Sequence, residues 1–288
     1  EYLLDEDRNL QIHGVLRRPS PWPIPKRVEI HHVELDKLGP TQQMLRAVRP
    51  EIVFHFASSA DVQASFSDPY AVLRNNIGIA ESFFEAMRME CPKATIVHAS
   101  TPEVVLGDPC NHTLGESDPL RARNPYAASK LSQEAIATSY ADSFGMKIVI
   151  LRVFSYLNPR RRNLVASSFS AQIAEAEEAG SGVLRHGTLS SIRTWCDVRD
   201  ICDAYWQAAT KCVPGRIYHV GATTPVGVAE ILCKLLDRAR VPIDLRLDPT
   251  LVRPVDVEFQ IPNVVDFEKA TRWTPTIPLE DSLDWLLA

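Results

Sequence analysis

Short apolar runs rich in β-branched residues alternate with helix-patterned stretches along the first half of the chain, and this alternation constrains the fold most. Strands are predicted at 12–16, 28–33, 52–57, 94–99 and 147–153. Helical spacing fills 41–48, 69–89 and 125–144 between them. A strand apolar at nearly every position is buried on both faces, which a parallel sheet covered by helices provides. The expected fold class is α/β, a doubly wound parallel sheet of the Rossmann type.

The second half changes character after Ser155. Three adjacent arginines, Arg160, Arg161 and Arg162, precede a predicted helix at 167–179. Another helix at 197–210, a strand at 216–220, a helix at 228–240, a strand at 243–247, a Pro-rich loop and a last helix complete the chain. The expected organisation is a dinucleotide-binding domain from 1–154 and 187–222, with a smaller C-terminal substrate-binding lobe from 155–186 and 223–288. A dinucleotide fold opens on a strand and a Gly-rich turn that lets backbone approach a pyrophosphate. Here Glu1-Tyr2-Leu3-Leu4 reads as the later part of a helix, and no Gly-rich turn precedes residue 12. The expectation is that the first strand, its turn and half a helix, about 20 residues, are absent from this sequence.

Composition narrows the function classes. A net charge of −5 argues against a general nucleic-acid binder, which would be basic. No apolar run reaches the roughly 18 residues of a bilayer-spanning helix. The six cysteines, at 91, 110, 196, 202, 212 and 233, form no Cys-x-x-Cys pair and no zinc spacing. They read as reduced thiols of a cytoplasmic protein. The histidines, including His31-His32 and His55, have no ligand spacing and read as core or surface residues, so no metal is expected.

Tyr126 and Lys130 stand four residues apart in PYAASK, on one face of a helix that Pro125 opens. An ammonium beside a phenol favours phenolate, which suits the Tyr to move a proton to or from a hydroxyl. A surface Tyr and a solvated Lys would give the same letters. The context adds weight: Ser100-Thr101 directly follows the strand ATIVHA, where a parallel sheet presents residues to its ligand crevice. A helix cap is the plain alternative for that pair. Glu103, two residues on, is a candidate base or a solvated loop carboxylate.

These features together resemble extended short-chain dehydrogenases/reductases, whose S/T…Y-x-x-x-K triad STPE and PYAASK match. FHFASSADVQASF, LRVFSYLNPRR, IRTWCDVRDICDAYW, LVRPVDV and KATRWTPTIPLEDSL extend the resemblance over nearly the whole chain. The last segments are similar to the branch of GDP-mannose 4,6-dehydratases and GDP-4-keto-6-deoxymannose reductases. The resemblance implies an NAD(P)-dependent enzyme on a nucleotide-sugar, with NADP favoured over NAD, and a homodimer. Thr101, Glu103, Tyr126 and Lys130 would be catalytic. Arg17 and Arg18 would grip a cofactor 2′-phosphate, Asp36 the adenine side, and Ala57, Ser58, Asn75 and Lys130 the rest of the cofactor. Ser155, Arg160, Arg193, Arg253 and Asp256 would hold the substrate.

The chain departs from the pattern at Ser155, where the family has Asn. It also departs at Val105, in place of the aromatic of V-Y-G, with Gly107 one position late, at Pro102, and at Arg272, in place of the Gly of G-W. Three functions fit: a dehydratase that oxidises C4, eliminates water across C5–C6 and returns the hydride; a reductase of a C4 ketone; and a catalytically inactive nucleotide binder with a regulatory or structural role. The dimer would pair the helix 125–144, whose Ala127, Ala128, Ala135 and Ala137 permit close packing.

Overall fold

The structure, a computed structural model, describes residues 1–6, 9–106 and 113–288; Gly107 and Cys110 lie outside them. Along the chain come α1 (Tyr2–Glu6), β1 (Ile12–Leu16), β2 (Val28–His32), α2 (Leu38–Val48), β3 (Ile52–His55), α3 (Val62–Ser67), α4 (Pro69–Glu90) and β4 (Thr95–Ser100). Then follow α5 (Pro125–Phe144), β5 (Lys147–Val153), β6 (Tyr156–Leu157), α6 (Val165–Ala179), β7 (Gly182–His186), β8 (Ile192–Thr194) and β9 (Cys196–Asp197). The rest is α7 (Val198–Lys211), β10 (Ile217–Val220), β11 (Pro225–Gly227), α8 (Val228–Leu236), β12 (Ile243–Leu247), β13 (Phe259–Gln260), α9 (Val265–Thr271) and α10 (Leu279–Leu287).

Two compact units result. The first contains 1–101, 124–151 and 202–218, the second 102–123, 152–201 and 219–288. Residues 102–123, 152–154, 187–201 and 219–222 thus group with the second unit, whereas the sequence boundaries kept them with the first.

In the first unit β3 and β4 are adjacent and parallel, Ile52 opposite Thr95 and His55 opposite His98. They belong to a sheet of order β10-β5-β4-β3, while β1 and β2 form a separate parallel pair. Among the described residues β1 pairs only with β2, and β3 only with β4. Helices α2, α4 and α5 pack Leu45, Phe83, Phe84, Met87 and Ala137 onto Ile96, Ile148 and Ile150. That apolar contact is the main source of stability here, at about 1.5–3 kcal/mol for each large side chain removed from water.

Local signals place the two long helices. Asp68 caps α4 by accepting from the Ala71 amide at 3.0 Å, and Pro69 fills the first turn, where a missing N–H costs nothing. Asn124 does the same for α5, accepting from the Ala127 amide at 2.7 Å, with Pro125 next. Gly145 ends α5 at φ 65°, a left-handed conformation that suits glycine.

The second unit has its own core. Leu157, Phe169, Ile173, Leu184, Trp195, Ile231, Leu235 and Leu283 pack together. β8 lies between antiparallel β11 and parallel β13, and β12 pairs parallel with β7. Asp200 accepts from the amides of Thr276 and Ile277 and from the Thr276 hydroxyl, at 2.9–3.1 Å, which fixes the start of the last segment. No helix among the described residues is long and apolar enough to cross a membrane. Cys91, Cys196, Cys202, Cys212 and Cys233 are free thiols.

One terminus is strained. Arg272 caps the C-terminal end of α9 at φ 62°, at the place where the resembled family carries glycine. A Cβ in that region costs on the order of 1 kcal/mol. Arg272→Gly is therefore expected to stabilise the protein by about 0.5–1 kcal/mol, read as a higher urea midpoint with an unchanged slope. An equal or lower midpoint would show that the arginine side chain compensates for its backbone.

Candidate active site

The first unit gathers one group of the expected residues around α5. Thr101 directly follows the last residue of β4, and it is buried, as are Tyr126 and Lys130. Ser100 donates a short hydrogen bond to the Glu134 carboxylate, which ties the C-terminal end of β4 to α5 one turn beyond Lys130. The cap at Asn124 sets where α5 begins and so puts Tyr126 in its first turn.

Lys130 is only 3% exposed. Its Nζ donates to Gln133 Oε1 at 2.8 Å. Burial holds the ammonium down to about 7, with the nearby Glu134 carboxylate opposing that shift. Gln133 Nε2 in turn donates to the Asn76 carbonyl at 2.8 Å. The Asn76 side chain is fully buried and donates to Ser129 Oγ at 2.8 Å and to the Ser59 carbonyl at 3.1 Å. It accepts from the Ser59 amide at 2.6 Å and from Asn75 Nδ2 at 2.9 Å.

Asn75 carries this network outward, because its Oδ1 accepts from Arg17 Nη1 at 2.9 Å. Arg17 and Arg18 are exposed immediately after β1. Two of the residues expected at a cofactor are thus in direct contact. Ala57 and Ser58 are half-buried in the turn that follows β3, next to the Ser59 that Asn76 holds. Asp36 is exposed after β2, and its carbonyl accepts from Ser82 Oγ at 3.0 Å.

Behind this face two histidines are buried in adjacent strands. His55 Nδ1 and His98 Nδ1 are 2.9 Å apart, and His55 stacks on Phe83 with ring centroids at 4.2 Å. Burial, helped by the charge of Lys130, lowers His55 to about 3 and His98 well below its usual value. Both are core residues and neutral at physiological pH.

The second unit gathers a separate set. Glu103 sits in a 3₁₀ turn, Pro102–Val104, with its side chain largely buried. Arg253 Nη1 lies 3.9 Å from Glu103 Oε1 and 3.8 Å from Asp256 Oδ1, so it bridges the two carboxylates. Arg193 is buried and donates to Asp256 Oδ1 at 3.3 Å and to the Ile192 and Glu258 carbonyls at 2.9 and 3.2 Å. Burial lowers its pKa, with Asp256 and Glu103 opposing. Asp256 also accepts from Ser191 Oγ at 3.0 Å. Four expected residues, Glu103, Arg193, Arg253 and Asp256, therefore form one charged cluster.

Ser155 and Arg160 are not in that cluster. The Ser155 carbonyl accepts from the Cys196 amide at 3.1 Å, and the Arg160 side chain is exposed beyond β6. In the arginine run, Arg161 donates to the Tyr156 hydroxyl at 2.8 Å and Arg162 lies 3.9 Å from Glu175. The residues that sequence reasoning missed are Asn76, Gln133, Glu134 and Ser59. Only the spacing of Gln133 and Glu134 behind Lys130 hinted at them.

The parallel sheet flanked by helices is the Rossmann-like fold of the extended short-chain dehydrogenases/reductases. The chain belongs to the GDP-mannose 4,6 dehydratase family, whose model matches residues 6–285. It is 26% identical over 276 residues to GDP-6-deoxy-D-mannose reductase of Pseudomonas aeruginosa, a match that covers 93% of this chain and 88% of that protein. The structure of RMD from Pseudomonas aeruginosa complexed with NADPH is similar at a TM-score of 0.82 and 21% identity, over 96% of this chain and 98% of that one. UDP-glucose 4-epimerase of Thermus thermophilus, solved in complex with NAD, gives 0.86 at 24% identity, over 99% and 93%.

The depressed Lys130 carries a consequence for stability. Its folded value, about 7, lies below its unfolded value of 10.5. Between those values the unfolded chain binds more protons, so this group's contribution to stability rises with pH across the window and levels off above it. Against Lys130→Met, the protein should gain up to about 1.4 kcal/mol per pH unit between about pH 7 and pH 9. Urea unfolding of both forms at several pH values measures this. A constant difference between them would mean that Lys130 keeps its proton in the fold.

Proposed function

We propose that this chain is an NADP(H)-dependent enzyme that acts at C4 of a GDP-linked hexose, with GDP-mannose 4,6-dehydratase as the first reading. The observation that carries it is the buried Tyr126 and Lys130 on α5, held to the end of β4 by Ser100 and Glu134, with Thr101 next in the chain and Glu103 two residues further. The family model and the named relatives supply the nucleotide-sugar class.

The donor set fits a phosphorylated dinucleotide. Two guanidiniums at one strand end match the charge and geometry of a 2′-phosphate, and Asn75 holds one of them in place. Arg17 and Arg18 would hold that phosphate, Asp36 the adenine side, Ala57, Ser58 and Asn75 the adjoining wall, and Lys130 the ribose. When bound, the dinucleotide supplies an acceptor and donor of hydride.

The protein's own work is proton transfer and positioning. Tyr126 takes the proton of the C4 hydroxyl, and Thr101 donates a hydrogen bond to the same oxygen. Once C4 is a ketone, its neighbour C5–H is acidic. Glu103 removes that proton and delivers one to the C6 hydroxyl, which leaves as water. Arg253 and Asp256 orient the nucleotide part, and Arg193 fixes Asp256 by its hydrogen bond; the roles of Ser155 and Arg160 rest on the resemblance alone.

A second reading is favoured by the likeness to the reductase of Pseudomonas aeruginosa. There Tyr126 protonates the oxygen of a C4 ketone, and Glu103 has no proton to move. We also propose a homodimer built on α5. Ala127 and Ala137 are buried in the chain's own core, so the surface left for a partner is Ala128, half-buried, with Ala135, exposed.

Two measurements test the proposal. The double variant R17A/R18A should lose about 1–3 kcal/mol of preference for NADP(H) over NAD(H); equal affinity of the parent protein for both cofactors would refute the phosphate role. With GDP-mannose and trace NADP⁺ the protein should accumulate a 4-keto product, and Glu103→Gln should slow it at least about 10²-fold. If instead NADPH is consumed stoichiometrically with GDP-4-keto-6-deoxymannose and Glu103→Gln is mild, the reductase reading replaces the dehydratase.

A further inference from the structure

One cluster outside these sites brings three metal-ligating side chains to a point. In the parallel pair of β1 and β2, His13 stands directly opposite Glu29, and Val15 opposite His31. Alternate residues of a strand share a face, so Glu29 and His31 lie on the same face as His13. His13 Nδ1 is 3.0 Å from His31 Nε2. Glu29 Oε2 is 3.6 Å from His13 Nδ1, and Glu29 Oε1 is 3.7 Å from His31 Nε2. The imidazole rings stack, with centroids 5.2 Å apart.

These separations have a chemical meaning. Ligand atoms held about 2.0–2.1 Å from a tetrahedral ion lie about 3.3–3.4 Å from one another. The observed edges bracket that value. Imidazole nitrogen with carboxylate oxygen suits a borderline divalent ion, zinc above magnesium or calcium. The histidines are half-buried and Glu29 is exposed, so the ligands are held by packing while the point they face stays open to an arriving ion. The strands supply rigidity, since register alone fixes two of the three positions.

We propose that His13, Glu29 and His31 form a binding site for a first-row divalent metal ion, zinc foremost, with water completing the coordination. The site clips β1 to β2 four residues ahead of Arg17, so an ion there would steady the strand from whose end the arginine pair emerges. The proposal does not depend on which sugar the enzyme transforms. Without an ion, one imidazole N–H donates to the other ring.

The test is Zn²⁺ titration of the chelator-treated protein at neutral pH, by calorimetry, beside His13→Gln, His31→Gln and Glu29→Gln. Glutamine keeps a polar side chain able to hydrogen-bond, which guards against loss of the fold, and circular dichroism verifies it. The parent should bind one equivalent that either histidine variant loses, and Glu29→Gln should weaken binding about 10-fold or more. Co²⁺ should give the intense visible bands of a four-coordinate site in the parent alone. Zn²⁺ should raise the melting temperature of the parent and not of the histidine variants. No binding by the parent, or binding of equal affinity in His13→Gln and His31→Gln through other side chains, would overturn the proposal.

Discussion

The chemistry-bearing face of the first unit hangs from one buried amide. Asn76, in the middle of α4, has no contact with water and meets every polar demand of its side chain inside the protein. A buried polar group left unpaired costs about 1–3 kcal/mol, so its partners are held as firmly as it is. Those partners are the turn after β3, helix α5 through Ser129, and Arg17 by way of Asn75. Its backbone carbonyl holds Gln133, which holds Lys130. The arginine end of β1, the turn at Ala57 and Ser58, and the helix of Tyr126 therefore share one origin, and a shift in any of them is felt by the others.

Much of this was legible in the sequence, and the failures have physical causes. The strands came from β-branched runs and survive with small trims. β3 stops at His55 because Phe56 is exposed and the chain turns there. α2 begins at Leu38, earlier than the pattern indicated, because Pro40 falls in its first turn, where a missing N–H is harmless. α8 ends at Leu236, short of the predicted 240. Asn75 was found by resemblance, yet its neighbour Asn76 is the hub. No spacing rule separates two adjacent asparagines; only burial does.

The second unit shows the same limit from the side of charge. Glu103, Arg193, Arg253 and Asp256 come from three distant segments, and no periodicity joins them; the resemblance named them singly. Their arrangement explains why a buried guanidinium is tolerated: Arg193 is met by a carboxylate and two carbonyls, which offset its lost hydration. The arginine run shows the converse. Resemblance placed Arg160 at the substrate, but of its neighbours in the run Arg161 is engaged with a tyrosine hydroxyl and Arg162 with a glutamate, so adjacency in sequence did not mean a common target.

The histidine pair between β3 and β4 has a consequence of its own. Both rings are neutral, and they meet through like nitrogens, Nδ1 to Nδ1. A hydrogen bond between two such atoms requires one ring to carry its proton there and the other to carry it on Nε2. The two residues are then different tautomers of the same side chain, and the Nε2 atoms, which find no partner, are a bare lone pair on one ring and an unused N–H on the other. The protein keeps a chemical asymmetry at its centre that its covalent structure does not contain, and exchanging the two roles would take the coordinated movement of two protons through a site without water-like partners.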